Sequence, residues 1–190
     1  MPEQAILKAD DANHCRFGVC CQQISDKNEL CYRAQCIATT RSITEALAWE
    51  RDEYSIAFQS RFGRQAWIKP YLDEHLQDLL GQGINRVAII TPSFVSDCLE
   101  TIHEIGIEYK GQFMEGGGRV MQLIPNLNDD PGWCSAVLEI SRRHLKMAEF
   151  NKLFGLKPEK RAVKRYNPPI GSFILWYFMH HRMWMPISFL

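Results

Sequence analysis

Four residues near the middle of the chain, Val87-Ala88-Ile89-Ile90, are apolar with no polar residue between them. A strand with one wet face alternates polar and apolar side chains. An unbroken run belongs to a strand covered on both faces, which is the habit of parallel sheets. The flanking segments agree. Before the run, Leu72, Leu76, Leu79 and Leu80 recur at helical spacing over residues 70–80. Pro70 suits a first turn, and Gly81 and Gly83 close the segment. After it, a second helical pattern covers about residues 97–109. Residues 54–58 and 120–124 read as further strands, and residues 133–146 as a helix. Upstream, residues 33–49 read as a helix carrying Ile37, Ile43, Ala46 and Leu47, and residues 15–20 as a strand before it. This alternation predicts an α/β, Rossmann-like parallel sheet with helices on both faces and right-handed crossovers. Sites in such folds lie at the carboxyl ends of the strands. Two segments sit there: Gln59-Ser60-Arg61 and the stretch from Thr91 to Asp97.

Charge divides the chain. It has 22 basic and 22 acidic side chains, so the formal charge is zero. Seven of the basic residues and one acid fall in residues 151–190, leaving the first 150 with 15 bases and 21 acids. An acidic body is a poor nucleic-acid binder. Residues 157–165 form a basic linker, and residues 170–179 are apolar and aromatic before His180-His181-Arg182 interrupts them. A membrane span needs about 20 clean apolar residues. The tail therefore reads first as a segment lying on a membrane surface or packed on protein. An out-of-family tail and a true span are the other readings. Seven cysteines, an odd count, with no basic-then-apolar leader ahead of them, point to free thiols in a reducing cytoplasm.

The densest chemical signal is Asp97, Glu100, Glu104 and Glu108, spaced three, four and four residues apart. On an α-helix that spacing puts all four carboxylates on one face. Like charges at i, i+4 repel by a few tenths of a kcal/mol per pair. A divalent cation would offset the repulsion, and carboxylates serve as proton acceptors when neighbours raise their pKa values. The plainer reading is a capping box, Asp97 with Glu100, at the head of a solvated acidic face.

Longer motifs bear on that choice. Residues 54–63, ending Phe58-Gln59-Ser60-Arg61-Phe62-Gly63, precede Trp67-Ile68-Lys69-Pro70-Tyr71. Pro92, Phe94, Ser96-Asp97-Cys98-Leu99-Glu100-Thr101 and Glu104-Ile105 follow in order. Then come Gly116-Gly117 and Ile124-Pro125-Asn126-Leu127-Asn128. Upstream stand Gln35-Cys36 and Thr39-Thr40-Arg41. Over residues 17–146 this ordered set resembles the C-terminal half of the ferrochelatases, which insert ferrous iron into protoporphyrin IX in haem biosynthesis.

The resemblance implies roles. Glu100 would take protons from the pyrrole nitrogens or deliver metal, with Asp97 in the same network. Glu104 and Glu108 would continue an acidic track for iron or protons. Gln59, Ser60 and Arg61 would line the porphyrin cleft, the Arg fork suiting a propionate. Trp67 would wall the pocket, where a core aromatic is the plainer alternative. The acid helix would carry a π-bulge. No organic cofactor is implied, and ferrous iron is the substrate. A [2Fe–2S] cluster on Cys20, Cys21, Cys31 and Cys36 matches no defensible spacing, so reduced thiols are the preferred reading.

The departures are specific. Where the family ends a strand in His-Gly-x-Pro, the stretch aligned here is Arg16-Phe17-Gly18-Val19-Cys20, and His14 lies three residues before Phe17. Nothing resembles the family's N-terminal domain. The expected organisation is an unmatched segment 1–16, a ferrochelatase-like domain 17–150, and a linker and tail 151–190. Three functions follow. The chain is one wall of an iron-inserting lyase, completed by a separately encoded half or a second copy. It is a truncated, non-catalytic paralogue that binds porphyrin or metal weakly. Or it acts at a membrane surface through its tail, in the cytoplasm or peripheral on the inner membrane.

Overall fold

The computed structural model describes residues 1–11, 13–59, 63–144 and 152–153, and the backbone of 187–189. In chain order its elements are α1 (Glu3–Lys8), a 3₁₀ turn (Cys20–Gln22), α2 (Tyr32–Ala46), β1 (Tyr54–Ile56), α3 (Leu72–Gly81) and β2 (Arg86–Ile90). A π-helix (Glu100–Tyr109), α4 (Lys110–Glu115), β3 (Val120–Leu123), α5 (Pro131–His144) and β4 (Ile187–Phe189) follow.

The four strands form one sheet in the order β1-β4-β2-β3. Every ladder is parallel: Tyr54 opposite Ile187, Ala88 opposite Ile187, and Arg86 opposite Val120. β2 is inside, and its middle residues Val87, Ala88 and Ile89 are fully buried. Alternation sends them to opposite faces. Val87 and Ile89 pack with Leu72, Leu76 and Leu79 of α3, Ile105 of the π-helix, Phe113 of α4 and Met121 of β3. Ala88 packs the other way, with Ile43 of α2, Trp49, Tyr54, Ile56 and Ile124. Helices thus cover both faces, the α/β arrangement expected from the unbroken apolar run.

Three local features differ from the sequence expectation. Helix α3 begins at Leu72 rather than Pro70, because Tyr71 is extended and bridges Phe58 in parallel. The amide of Phe58 donates to the Pro70 carbonyl (2.8 Å), and that of Leu72 to the Phe58 carbonyl (3.0 Å). Residues 15–20 are not a strand. The Asp10 carboxylate accepts the amides of His14 (3.0 Å) and Cys15 (2.6 Å). Gly18 takes φ +83°, and the amides of Val19 and Cys20 both return to the Arg16 carbonyl, so the chain turns back. Finally, the sequence reading did not include α1, which seats Ile6 against Phe58 and Ile68.

Close approach fixes one glycine in the main core. A Cβ on Gly118 would stand 2.3 Å from Phe113 Cδ1 and 2.6 Å from the Phe113 carbonyl oxygen. Among the described residues, no helix is long and apolar enough to cross a membrane. The basic linker and the aromatic run of the tail lie outside the described residues.

Candidate functional site

Because β1, β2 and β3 are parallel, their carboxyl ends share one edge of the sheet. Gln59 follows β1, Thr91 to Ser93 follow β2, and Asn126 and Asn128 follow β3. The acid-bearing helix starts just beyond β2, so its first turns lie over the same edge.

That helix is a π-helix for ten residues. Its i→i+5 bonds widen each turn, so residues four apart no longer stack as on an α-helix. Asp97 precedes this helix, and Glu100, Glu104 and Glu108 within it each meet different partners.

Asp97 braces the helix start to the loop after β3. Its Oδ2 accepts from Asn128 Nδ2 (2.8 Å), and its own amide donates to Asn128 Oδ1 (2.9 Å). The Asn126 amide donates to its Oδ1 (3.4 Å). Thr101 Oγ1 lies 3.2 Å from the same oxygen and accepts the Cys98 amide (3.0 Å). Asn128 can serve this bracket because it adopts the left-handed conformation, φ 48°, which asparagine tolerates. Thr91 Oγ1 donates to Asn126 Oδ1 (2.5 Å), closing the link back to β2.

Glu104 is the half-buried acid. One carboxylate oxygen accepts from Gln59 Nε2 (2.8 Å) and the other from the Tyr109 hydroxyl (2.8 Å). Gln59 Nε2 also donates to the Glu100 carbonyl (2.9 Å), while its buried Oε1 has no hydrogen-bond partner among the described residues. Glu100 itself is exposed. Its own amide and the Cys98 thiol hold its carboxyl below the usual glutamate range, so it is an anion near neutral pH. Glu108 is exposed and lies 3.3 Å from His103 Nδ1, at the i, i+5 spacing of the π-helix.

Trp67 is half-buried. Its backbone bridges Pro2 in antiparallel fashion and bonds the Tyr71 hydroxyl. Ser60 and Arg61 lie outside the described residues. At Phe58, the residue before Gln59, a cavity of about 210 Å³ opens between α2, the end of β1 and the turn after β2. Its lining includes Tyr32, Gln35, Cys36, Thr40, Phe58 and Ser93. Burial pushes the Tyr32 hydroxyl and the Cys36 thiol up from their ordinary values, so both face the cavity neutral.

Among the described residues, no group of three or more His, Cys, Asp or Glu side chains is arranged to hold a metal ion. Cys21 is buried against Ala34 and Ile37 and accepts from Arg33 Nη1 (2.6 Å), whereas Cys36 packs in the cluster around Ile6.

Sequence reasoning overlooked Tyr109, Thr101 and the two asparagines as partners of the acids. Thr101, four residues after Asp97, was visible as a helical neighbour. Tyr109 was visible only to a reader expecting i, i+5 contacts.

A family model described as Ferrochelatase matches residues 1–145, taking in the first sixteen. A ferrochelatase of Coxiella burnetii (strain Dugway 5J108-111) is 40% identical over 152 residues, covering 77% of this chain and 42% of that protein. The ferrochelatase of Ectopseudomonas mendocina (strain ymp) is 39% identical over 145 residues, 75% of this chain and 43% of its own length. That of Pseudomonas fluorescens (strain SBW25) is 40% identical over 146 residues, with the same shares. The chain spans less than half the length of these curated relatives. The matched region carries Gln59, Asp97, Glu100, Glu104 and the Ile124 to Asn128 loop at one sheet edge, and by that match the chain belongs to the ferrochelatase family.

Proposed function

We propose that this chain supplies the acid-bearing wall of a chelatase that inserts ferrous iron into protoporphyrin IX, a lyase step of haem biosynthesis. The observation that carries the reading is the pairing of a charged, exposed Glu100 with a half-buried Glu104 fixed by Gln59 and Tyr109. Both belong to the widened helix at the carboxyl edge of the sheet. Insertion releases two protons from the pyrrole nitrogens and desolvates a dication. An exposed carboxylate receives the proton, and a held one gives it a fixed second station. Gln59 lines the same edge, with Ser60 and Arg61 following it in sequence. Trp67 would form the side wall.

The cavity supports a shared cleft. About 210 Å³ falls below the roughly 300–1,000 Å³ of sites that enclose drug-sized ligands. A tetrapyrrole would need an opposite wall, from the part of the family's fold that these residues do not cover or from a second copy of this chain.

The test is metal insertion. Purified chain is incubated with protoporphyrin and ferrous or zinc ion, and the product is followed by absorbance. Turnover that drops to background in Glu100→Ala is the expected result. Wild-type turnover no higher than that variant's, both for the chain alone and with the half of a ferrochelatase relative that it does not match added, overturns the reading. A second reading is favoured by the separate partners of the four acids: a non-catalytic paralogue that binds porphyrin or metal weakly. Porphyrin fluorescence quenching with no metallated product would identify it.

A further inference from the structure

Three thiols outside the acid edge lie close together. Cys15, Cys20 and Cys31 are all partly exposed. Cys15 and Cys31 pack against the Ile6–Phe58–Ile68 cluster, and Cys20 and Cys31 against the Cys21–Ala34–Ile37 cluster. The turn at residues 16–19, with Gly18 in the left-handed region, folds Cys20 back on Cys15. That places the Cys20 sulfur beside the peptide that follows Cys15. The Arg16 amide donates to Cys20 Sγ (3.2 Å), and the Cys15 amide is held by Asp10 (2.6 Å), so both backbones are fixed.

We propose that Cys15 and Cys20 form a modification site: a thiol pair that closes to an intramolecular disulfide when oxidised by a low-molecular-weight disulfide. Cys20, its sulfur under the Arg16 amide, attacks one sulfur of the oxidant as thiolate and releases one equivalent of thiolate. Cys15 then loses its proton to solvent and attacks Cys20 Sγ, releasing the second equivalent. Two protein thiols are oxidised by two electrons, and the oxidant's two sulfurs are reduced. The order of attack follows from the surroundings: burial, Cys20 and the Asp10 carboxylate push the Cys15 thiol up to about 11. Cys21, 3% exposed and covered by Arg33, is the thiol least open to the oxidant. Cys31 comes from a separate segment and is not needed for closure.

The experiment titrates the full-length chain with oxidised glutathione, alkylates free thiols and digests with trypsin. Cleavage after Arg16 separates Cys15 from Cys20 unless a disulfide joins them, and fragmentation within residues 17–27 distinguishes Cys20 from Cys21. The expected result is the loss of two of the seven free thiols and a Cys15–Cys20 cross-link that survives in Cys31→Ser. In Cys15→Ser the cross-link is replaced by a glutathione adduct on Cys20. A wild-type map showing only glutathione adducts at Cys15 and Cys20, or a bond from either to Cys21 or Cys31, overturns the proposal.

Discussion

The Gln59 side-chain amide donates at once to the Glu104 carboxylate and to the Glu100 carbonyl, joining β1 to the π-helix across 45 and 41 residues of sequence. Both contacts use the same nitrogen, so one side chain fixes the position of the helix backbone and the direction of its half-buried acid.

Removing that amide should loosen both. Hydrogen bonds to charged groups contribute about 1.5–3 kcal/mol. Gln59→Leu should cost stability of about that size, and Tyr109→Phe somewhat less, because the amide still holds the carboxylate. Urea denaturation of the two single variants and the double variant checks this. A double variant no less stable than the worse single would show that the two donors do not act separately.

The Asp97 bracket gives a second expectation. Asp97→Asn keeps the shape but sets an amide against Asn128 Nδ2, so the contact now 2.8 Å long becomes donor against donor. A loss of about 1–3 kcal/mol follows from the unsatisfied groups. Asn128→Asp, combined with it, should recover part of the loss. A double variant as unstable as Asp97→Asn alone would argue against the bracket.

Gly118→Ala tests the core. The added methyl would collide with both the ring and the carbonyl of Phe113, and overpacking of this kind costs about 1–3 kcal/mol. A methyl at Gly111 would meet nothing within 4 Å, so Gly111→Ala should be neutral or slightly stabilising in its helix. Thermal melts of the pair should diverge.

A pH effect comes from His75, whose ring nitrogen lies 2.8 Å from Ser55 Oγ. Burial lowers its pKa from the ordinary 6.5, with Asp78 opposing. The unfolded chain therefore takes up this proton first as pH falls. The stability tied to neutral His75 is complete above about 6.5 and declines as pH drops through that value toward the lower folded one. His75→Gln should flatten that part of the stability profile, measured as the urea midpoint against pH. An unchanged slope would remove His75 as its source.

What the sequence made legible was what depends on neighbours along the chain. The unbroken run in β2, the leucine spacing of α3 and the order of the family motifs all survive in the structure. Legibility stopped where partners are distant. Asp97 and Asn128 stand 31 residues apart, and nothing local announces that an aspartate at a helix start will be used by a loop after the next strand. The turn at residues 16–19 carried β-forming residues, but Gly18 and the Asp10 cap decided against a strand. Helix α1 is only six residues long, too short for periodicity to reveal, and is fixed by Ile6 finding Phe58 and Ile68. The acids were read on an α-helical wheel, whereas Asp97 lies before the helix and the other three occupy one that winds more widely.

That wider winding makes the spacing along this segment unforgiving. Shortening it by a single residue between Glu100 and Glu104 would let the backbone relax to the commoner i→i+4 ladder. The later carboxylate would then rotate off the Gln59 amide while every acid remained present in the composition. Chains that keep the same charges but differ here in length by one should therefore be treated as lacking this arrangement.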